Sequence, residues 1–216
     1  MAHTDPVATT ESLTLQTTDG LALEAEVVIP DESVGAAVLT HPHPRHGGNM
    51  RSMVPGELIR ELPDRGIATL RFNFRGMGNS QGSFDDGNGE RLDVVAAIDT
   101  LHEVVEGLPL IVCGSSFGAD TAFSVDDPRV TAWCGLAPPL RQEKLPLMES
   151  VAADERPKHL IIAERDQYRV PDNIAEVISG WQNTSMNVVP GADHFFVGRL
   201  HMAIQMCCDF VVSFTK

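Results

Sequence analysis

Long hydrophobic runs are missing from this chain. Nothing approaches the about 18 apolar residues that a membrane-spanning helix requires, so no span is expected. The opening residues, MAHTDPVATTES, lack both the basic and the apolar region of a secretory signal. Residues 1–11 are instead expected to be flexible. Basic residues are scarce, with 16 Lys and Arg against 30 Asp and Glu, for a net charge of −14. That balance argues against binding a nucleic-acid backbone or an anionic membrane, and it would mildly repel small anionic substrates. Cysteine is limited to Cys113, Cys134, Cys207 and Cys208, all in apolar segments and at no metal-ligand spacing. Buried, reduced thiols in a cytoplasmic protein follow from that pattern. Internal repeats and linker-like segments are also lacking. The 216 residues are therefore expected to form one domain over 1–216.

What is present alternates. Ser12–Thr17 and Leu21–Ile29 alternate in polarity around Asp19-Gly20, which reads as a hairpin. Short apolar runs at 36–40, 67–72, 110–113, 130–136, 159–163 and 187–189 read as strands. Between them, helical stripes appear: Val54, Leu58 and Leu62; then Val94, Ala97, Ile98, Leu101 and Val105. Pro171 opens a further helix to about Gly180, and Leu200, Ile204, Cys207 and Val211 mark the last one. Strands alternating with amphipathic helices imply an α/β fold, with a mostly parallel sheet covered on both faces and an antiparallel N-terminal edge.

The run Leu110–Cys113 is followed by Gly114-Ser115-Ser116-Phe117-Gly118, which fits G-x-S-x-G with Ser116 at its centre. In a nucleophile elbow the chain turns from strand to helix and holds its middle residue in a strained conformation above the sheet. A serine hydroxyl needs a base, and the base needs an orienting group. Both should follow later strands, where sites form in open α/β sheets. Asp166 follows the strand ending at Ala163, and His194 the one ending at Val189. The order Ser116, Asp166, His194 is the one that G-x-S-x-G hydrolases require. Glu164 and Asp172 compete for the acid position, and Asp166 could instead cap the Pro171 helix.

A tetrahedral oxyanion needs backbone N–H donors. One should come from Phe117, after the nucleophile, and one from the loop after the 36–40 strand. Pro42 and Pro44 have no N–H to give, which leaves His43, with Arg45 behind it. His41, His43 and His46 have no nearby carboxylate to complete a metal site, so neither a metal nor any other cofactor is expected.

Five segments, THPHPRHGGNM, ATLRFNFRGMGNSQGSFDDGNGE, CGSSFGA, AERDQYRVP and GADHFF, resemble the α/β-hydrolase superfamily, and within it the small lidless predicted α/β hydrolases. The resemblance implies Ser116 as nucleophile, His194 as base and Asp166 as acid, with His43 and Phe117 as oxyanion-hole donors. It also implies that FRGMGNSQG shapes the site without doing chemistry. Where larger relatives insert a helical cap, only Pro139–Pro157 intervenes here, with Leu140, Leu145, Leu147 and Met148 available to wall a pocket. The expectation is a serine hydrolase acting on carboxylic esters or thioesters of small or short-acyl substrates. A non-catalytic binding protein on the same fold is the alternative, as is the same triad used for lactone, amide or perhydrolysis chemistry. The expected partner is a small ester-like substrate, with neither nucleic acid nor membrane, and the oligomeric state stays open.

Overall fold

A computed structural model describes residues 9–215. Eight strands form one sheet: β1 (Thr10–Gln16), β2 (Ala22–Val28), β3 (Gly35–Thr40), β4 (Ile67–Phe72), β5 (Leu110–Ser115), β6 (Val130–Leu136), β7 (Lys158–Ala163) and β8 (Thr184–Val189). Their spatial order is β1-β2-β4-β3-β5-β6-β7-β8. β1, β2 and β4 pair antiparallel, and every pair from β4-β3 to β7-β8 is parallel. This is the mostly parallel α/β sheet with an antiparallel N-terminal edge expected from the alternation, and it fits the α/β-hydrolase fold that the resemblance implies.

The central strands are apolar throughout because each of their faces meets helices. In β3, Ala36 and Val38 enter one core while Ala37 and Leu39 enter the other; Leu110 and Val112 alternate with Ile111 and Cys113 in the same way in β5. On the first face lie α2 (Glu90–Val104), α3 (Phe117–Phe123), α4 (Glu149–Ala153) and α5 (Pro171–Ile178); on the second lie α1 (Met53–Glu61) and α6 (Leu200–Val212). A run that must be buried on both sides cannot alternate with polar residues, hence the short continuous apolar stretches. The chain leaves β3 toward α1 on one face and leaves β4 toward α2 on the other. The strand order therefore reverses between β3 and β5, the switch point at whose carboxyl ends sites form in open α/β sheets.

Several boundaries differ from expectation. The hairpin begins at Thr10, which pairs with Val28, so Thr10 and Glu11 are strand rather than flexible chain; residues 1–8 lie outside the described residues. β8 starts at Thr184 rather than Asn187, because an edge strand with one wetted face tolerates Thr, Ser and Asn. Within Pro139–Pro157, segment 142–153 forms a 3-10 turn and α4. Just before it Leu140 is fully buried in the first core, so it supports the fold and does not wall a pocket; Met148, buried in the same core, lines a small pocket with Leu147 and Phe117, and Leu145 lines a second one with Val177 and Trp181. Among the described residues, no helix is long and apolar enough to cross a membrane. All four cysteines are free and buried.

Candidate active site

The elbow follows from local sterics. Ser116 sits at φ 53°, ψ −121°, a conformation that a non-glycine residue holds only when its surroundings impose it. Its N–H donates to Leu136 O at 2.9 Å, and its carbonyl accepts from Ala119 and Asp120, which ties the strained residue to both β6 and α3. The turn brings α3 so close to the sheet that side chains cannot fit at the flanks. A Cβ at Gly114 would lie 2.5 Å from Ala119 Cα, and one at Gly118 would lie 2.6 Å from His41 O.

Three loops from the carboxyl edge then converge. Ser116 Oγ lies 2.8 Å from His194 Nε2, and His194 Nδ1 lies 2.8 Å from Asp166 Oδ2. The other oxygen of Asp166 accepts the backbone N–H groups of Tyr168 and Arg169 at 2.8 and 3.2 Å, so neither carboxylate oxygen can swing away. Asp166 and His194 are both buried. With Nδ1–H facing the carboxylate, Nε2 keeps its lone pair for the serine hydroxyl. The His194 loop is fixed by Phe196, buried as an anchor, and by Asp193, whose side chain accepts from Phe195 and Val197 N–H. Among the described residues, neither rival for the acid position hydrogen-bonds the imidazole. Glu164 accepts from Gly191 N–H at 2.7 Å, and Asp172 lies in the first turn of α5. Asp166 does not cap α5, whose N-cap is Val170.

Neither Phe117 N–H nor His43 N–H has an acceptor among the described residues. The two residues are neighbours, their ring centroids 5.1 Å apart. The His43 imidazole is held below its ordinary pKa by burial first and then by His46 and Arg141. It accepts from Arg45 N–H and stacks on the His46 ring at 4.3 Å.

Sequence reasoning missed the residues that hold this loop in place. His41 is fully buried: Nδ1 donates to Pro42 O at 2.6 Å and Nε2 accepts from Phe74 N–H at 3.1 Å. Burial drives its pKa down to about 4, so it stays neutral and keeps both bonds at pH 7. Asn73 accepts from Met50 N–H at 2.9 Å and donates to Glu24 at 2.7 Å, pinning the end of the same loop to β2. Asn73 and Phe74, the first residue of FRGMGNSQG, thus brace the 41–50 loop at both ends. A His-Pro pair and an Asn within a strand-end loop were the available signals, but a brace and a surface loop share that composition.

Asp120 was also missed. It lies in α3 and accepts from Leu140 and Arg141 N–H at 2.9 and 3.2 Å. Burial pushes its pKa up to about 7 from 3.8. Between those values the folded protein binds a proton that the unfolded chain has released, so stability falls as pH rises through this window. Asp120→Asn is expected to flatten that slope, as urea midpoints at about pH 5 and about pH 8 will read.

Residues 43–175 match the family model described as serine aminopeptidase, S33 (Hydrolase_4). The chain is 31% identical over 186 residues to an uncharacterized protein of Rickettsia prowazekii, covering 82% of this chain and 78% of that one. Among solved structures it is similar to an α/β serine hydrolase homologue from Coxiella burnetii, with TM-score 0.82 and 29% identity over 96% of this chain and 100% of that chain. It is also similar to an α/β serine hydrolase without lid from Xanthomonas campestris, with TM-score 0.83 and 26% identity over 97% of this chain and 95% of that chain.

Proposed function

The chain belongs to the serine aminopeptidase S33 family of α/β hydrolases, and from that membership we propose that it hydrolyses carboxylic esters or thioesters of small substrates through a Ser116–His194–Asp166 triad. The observation that carries this reading is the pair of 2.8 Å contacts running from Ser116 Oγ through His194 to Asp166.

In this reading Ser116 Oγ attacks the carbonyl carbon while its proton passes to His194 Nε2. Asp166 holds the ring in the required tautomer and stabilises the imidazolium. The carbonyl oxygen becomes an oxyanion, which Phe117 and His43 N–H stabilise from positions fixed before the charge develops. The C–O or C–S bond then breaks, and His194 returns the proton to the departing alkoxide or thiolate. Water attacks the acyl-enzyme with His194 again as base, the acid is released and Ser116 regains its proton. Only the short 139–157 passage stands where a cap would insert, which suits short acyl groups.

The test is covalent labelling by a fluorophosphonate together with turnover of a short-acyl ester series and an amino-acid anilide. Labelling at Ser116 and ester turnover, both lost in Ser116→Ala, are expected. Anilide turnover without ester turnover would move the reading to amide chemistry. Wild-type protein that resists the label would sink it.

A further inference from the structure

The pairing of charges on this acidic protein is uneven. Most arginines sit within 4.0 Å of a carboxylate, and Arg199 donates to backbone carbonyls. Among the described residues, the guanidinium groups of Arg45, Arg91, Arg165 and Arg169 make neither a hydrogen bond nor an ion pair. Their positions are not scattered. Arg45 is on the loop after β3, Arg165 and Arg169 are on the loop after β7, and Arg91 is in the first turn of α2, reached from β4. All four therefore lie toward the carboxyl edge of the sheet, where the candidate site opens.

Arg45 has the most defined setting. It borders a depression of about 430 Å³ lined by His43, Arg45, His46, Phe84, Asp85 and Asp86. Its guanidinium lies 4.8 Å above the Phe84 ring, which orients it by a cation–π contact while leaving its N–H donors unused. Asp86 is already neutralised by Arg141 at 3.0 Å and Lys144 at 2.9 Å. Asp85 is the one lining carboxylate with no cation within 4.0 Å, and it is exposed. The depression adjoins the site through His43, whose ring touches that of Phe117, the residue after Ser116.

We propose that the substrate carries an anionic group, a carboxylate or a phosphate, remote from the reacting carbonyl, and that Arg45 receives it in this depression. The inference rests on the serine-hydrolase reading and names the substrate class within it. A net charge of −14 repels anions at a distance, so an anionic substrate needs an unspent cation beside the nucleophile. A planar guanidinium with free donors suits either oxyanion type. Arg45 is a specificity residue here and takes no part in the bond changes.

The test compares isosteric pairs by kcat/KM. 3-Acetoxybenzoate against 3-acetoxybenzamide places the charge on the alcohol side, and the 4-nitrophenyl monoester of adipic acid against 4-nitrophenyl hexanoate places it on the acyl side. 3-Acetoxyphenyl phosphate separates phosphate from carboxylate. The wild type is expected to favour the anionic member of at least one pair by about three- to tenfold. Arg45→Gln should erase that preference, Asp85→Asn should widen it, and about 0.5 M NaCl should shrink it. Arg60→Gln, in the last turn of α1 and paired with Glu57, should leave it unchanged. Equal rates within both pairs, or a preference that survives Arg45→Gln, overturns the inference while leaving the triad reading intact. A protein that the fluorophosphonate does not label overturns both.

Discussion

Ser116→Gly is expected to abolish ester turnover and to give a protein that melts above Ser116→Ala. Both variants remove the hydroxyl, so both should lose about 10⁵-fold or more in kcat, the scale seen when a nucleophile is deleted from a working triad. They part company on stability. At φ 53°, ψ −121° an alanine keeps the strain of the serine, whereas glycine adopts this region without a Cβ penalty. Relief of about 1–3 kcal/mol corresponds to a Tm difference of about 2–10 °C for a chain of this size. Differential scanning calorimetry on the two variants reads it directly. Equal melting temperatures would mean that the elbow stores no strain, and residual turnover in either variant would remove Ser116 from the chemistry.

Gly118→Ala is expected to do more damage than a single added methyl suggests. The new Cβ would sit 2.6 Å from His41 O and 2.8 Å from Thr40 C and O, all backbone atoms of the strand end and loop that carry the second candidate oxyanion donor. Thr40 Oγ1 already donates to Gly118 O at 2.9 Å, so the two segments are held together and cannot part without cost. Either α3 lifts off β3 or the 41–50 loop shifts. Both routes move Phe117 N–H relative to His43 N–H, and a displacement near 1 Å at reacting groups costs about a hundredfold in rate. Overpacking in a buried contact adds about 1–3 kcal/mol of destabilisation. Soluble protein with a lowered Tm and kcat reduced by at least about a hundredfold is the expected result; wild-type kcat/KM in Gly118→Ala would contradict the donor assignment.

Legibility in the sequence followed what each residue has to satisfy. Leu110–Cys113 and Ala36–Leu39 are buried on two faces, and burial of that kind leaves a pattern that few other structures share. The elbow was readable because its glycines are demanded by contacts under 3 Å. Asp166 and His194 could be placed because their loops follow strands, and chain order excluded most alternatives. What stayed hidden depends on contacts between distant segments. Nothing local distinguishes Asp120, which waits for the amides of Leu140 and Arg141, from an ordinary helix-surface carboxylate. His41 reads as one of three loop histidines until Phe74 N–H reaches its ring. Leu140 reads as a pocket wall because the short connector that carries it gives no sign of how far it dips into the core. β8 was cut short because its wetted face dilutes the apolar signal.

The short passage from β6 to β7 also bears on how a covalent intermediate would be resolved. With no cap among the described residues between β6 and β7, an acyl group on Ser116 would stay open to whichever nucleophile diffuses in. Hydroxylamine or a small alcohol would then compete with solvent in simple proportion to its concentration, and no hinge motion would set the pace of turnover.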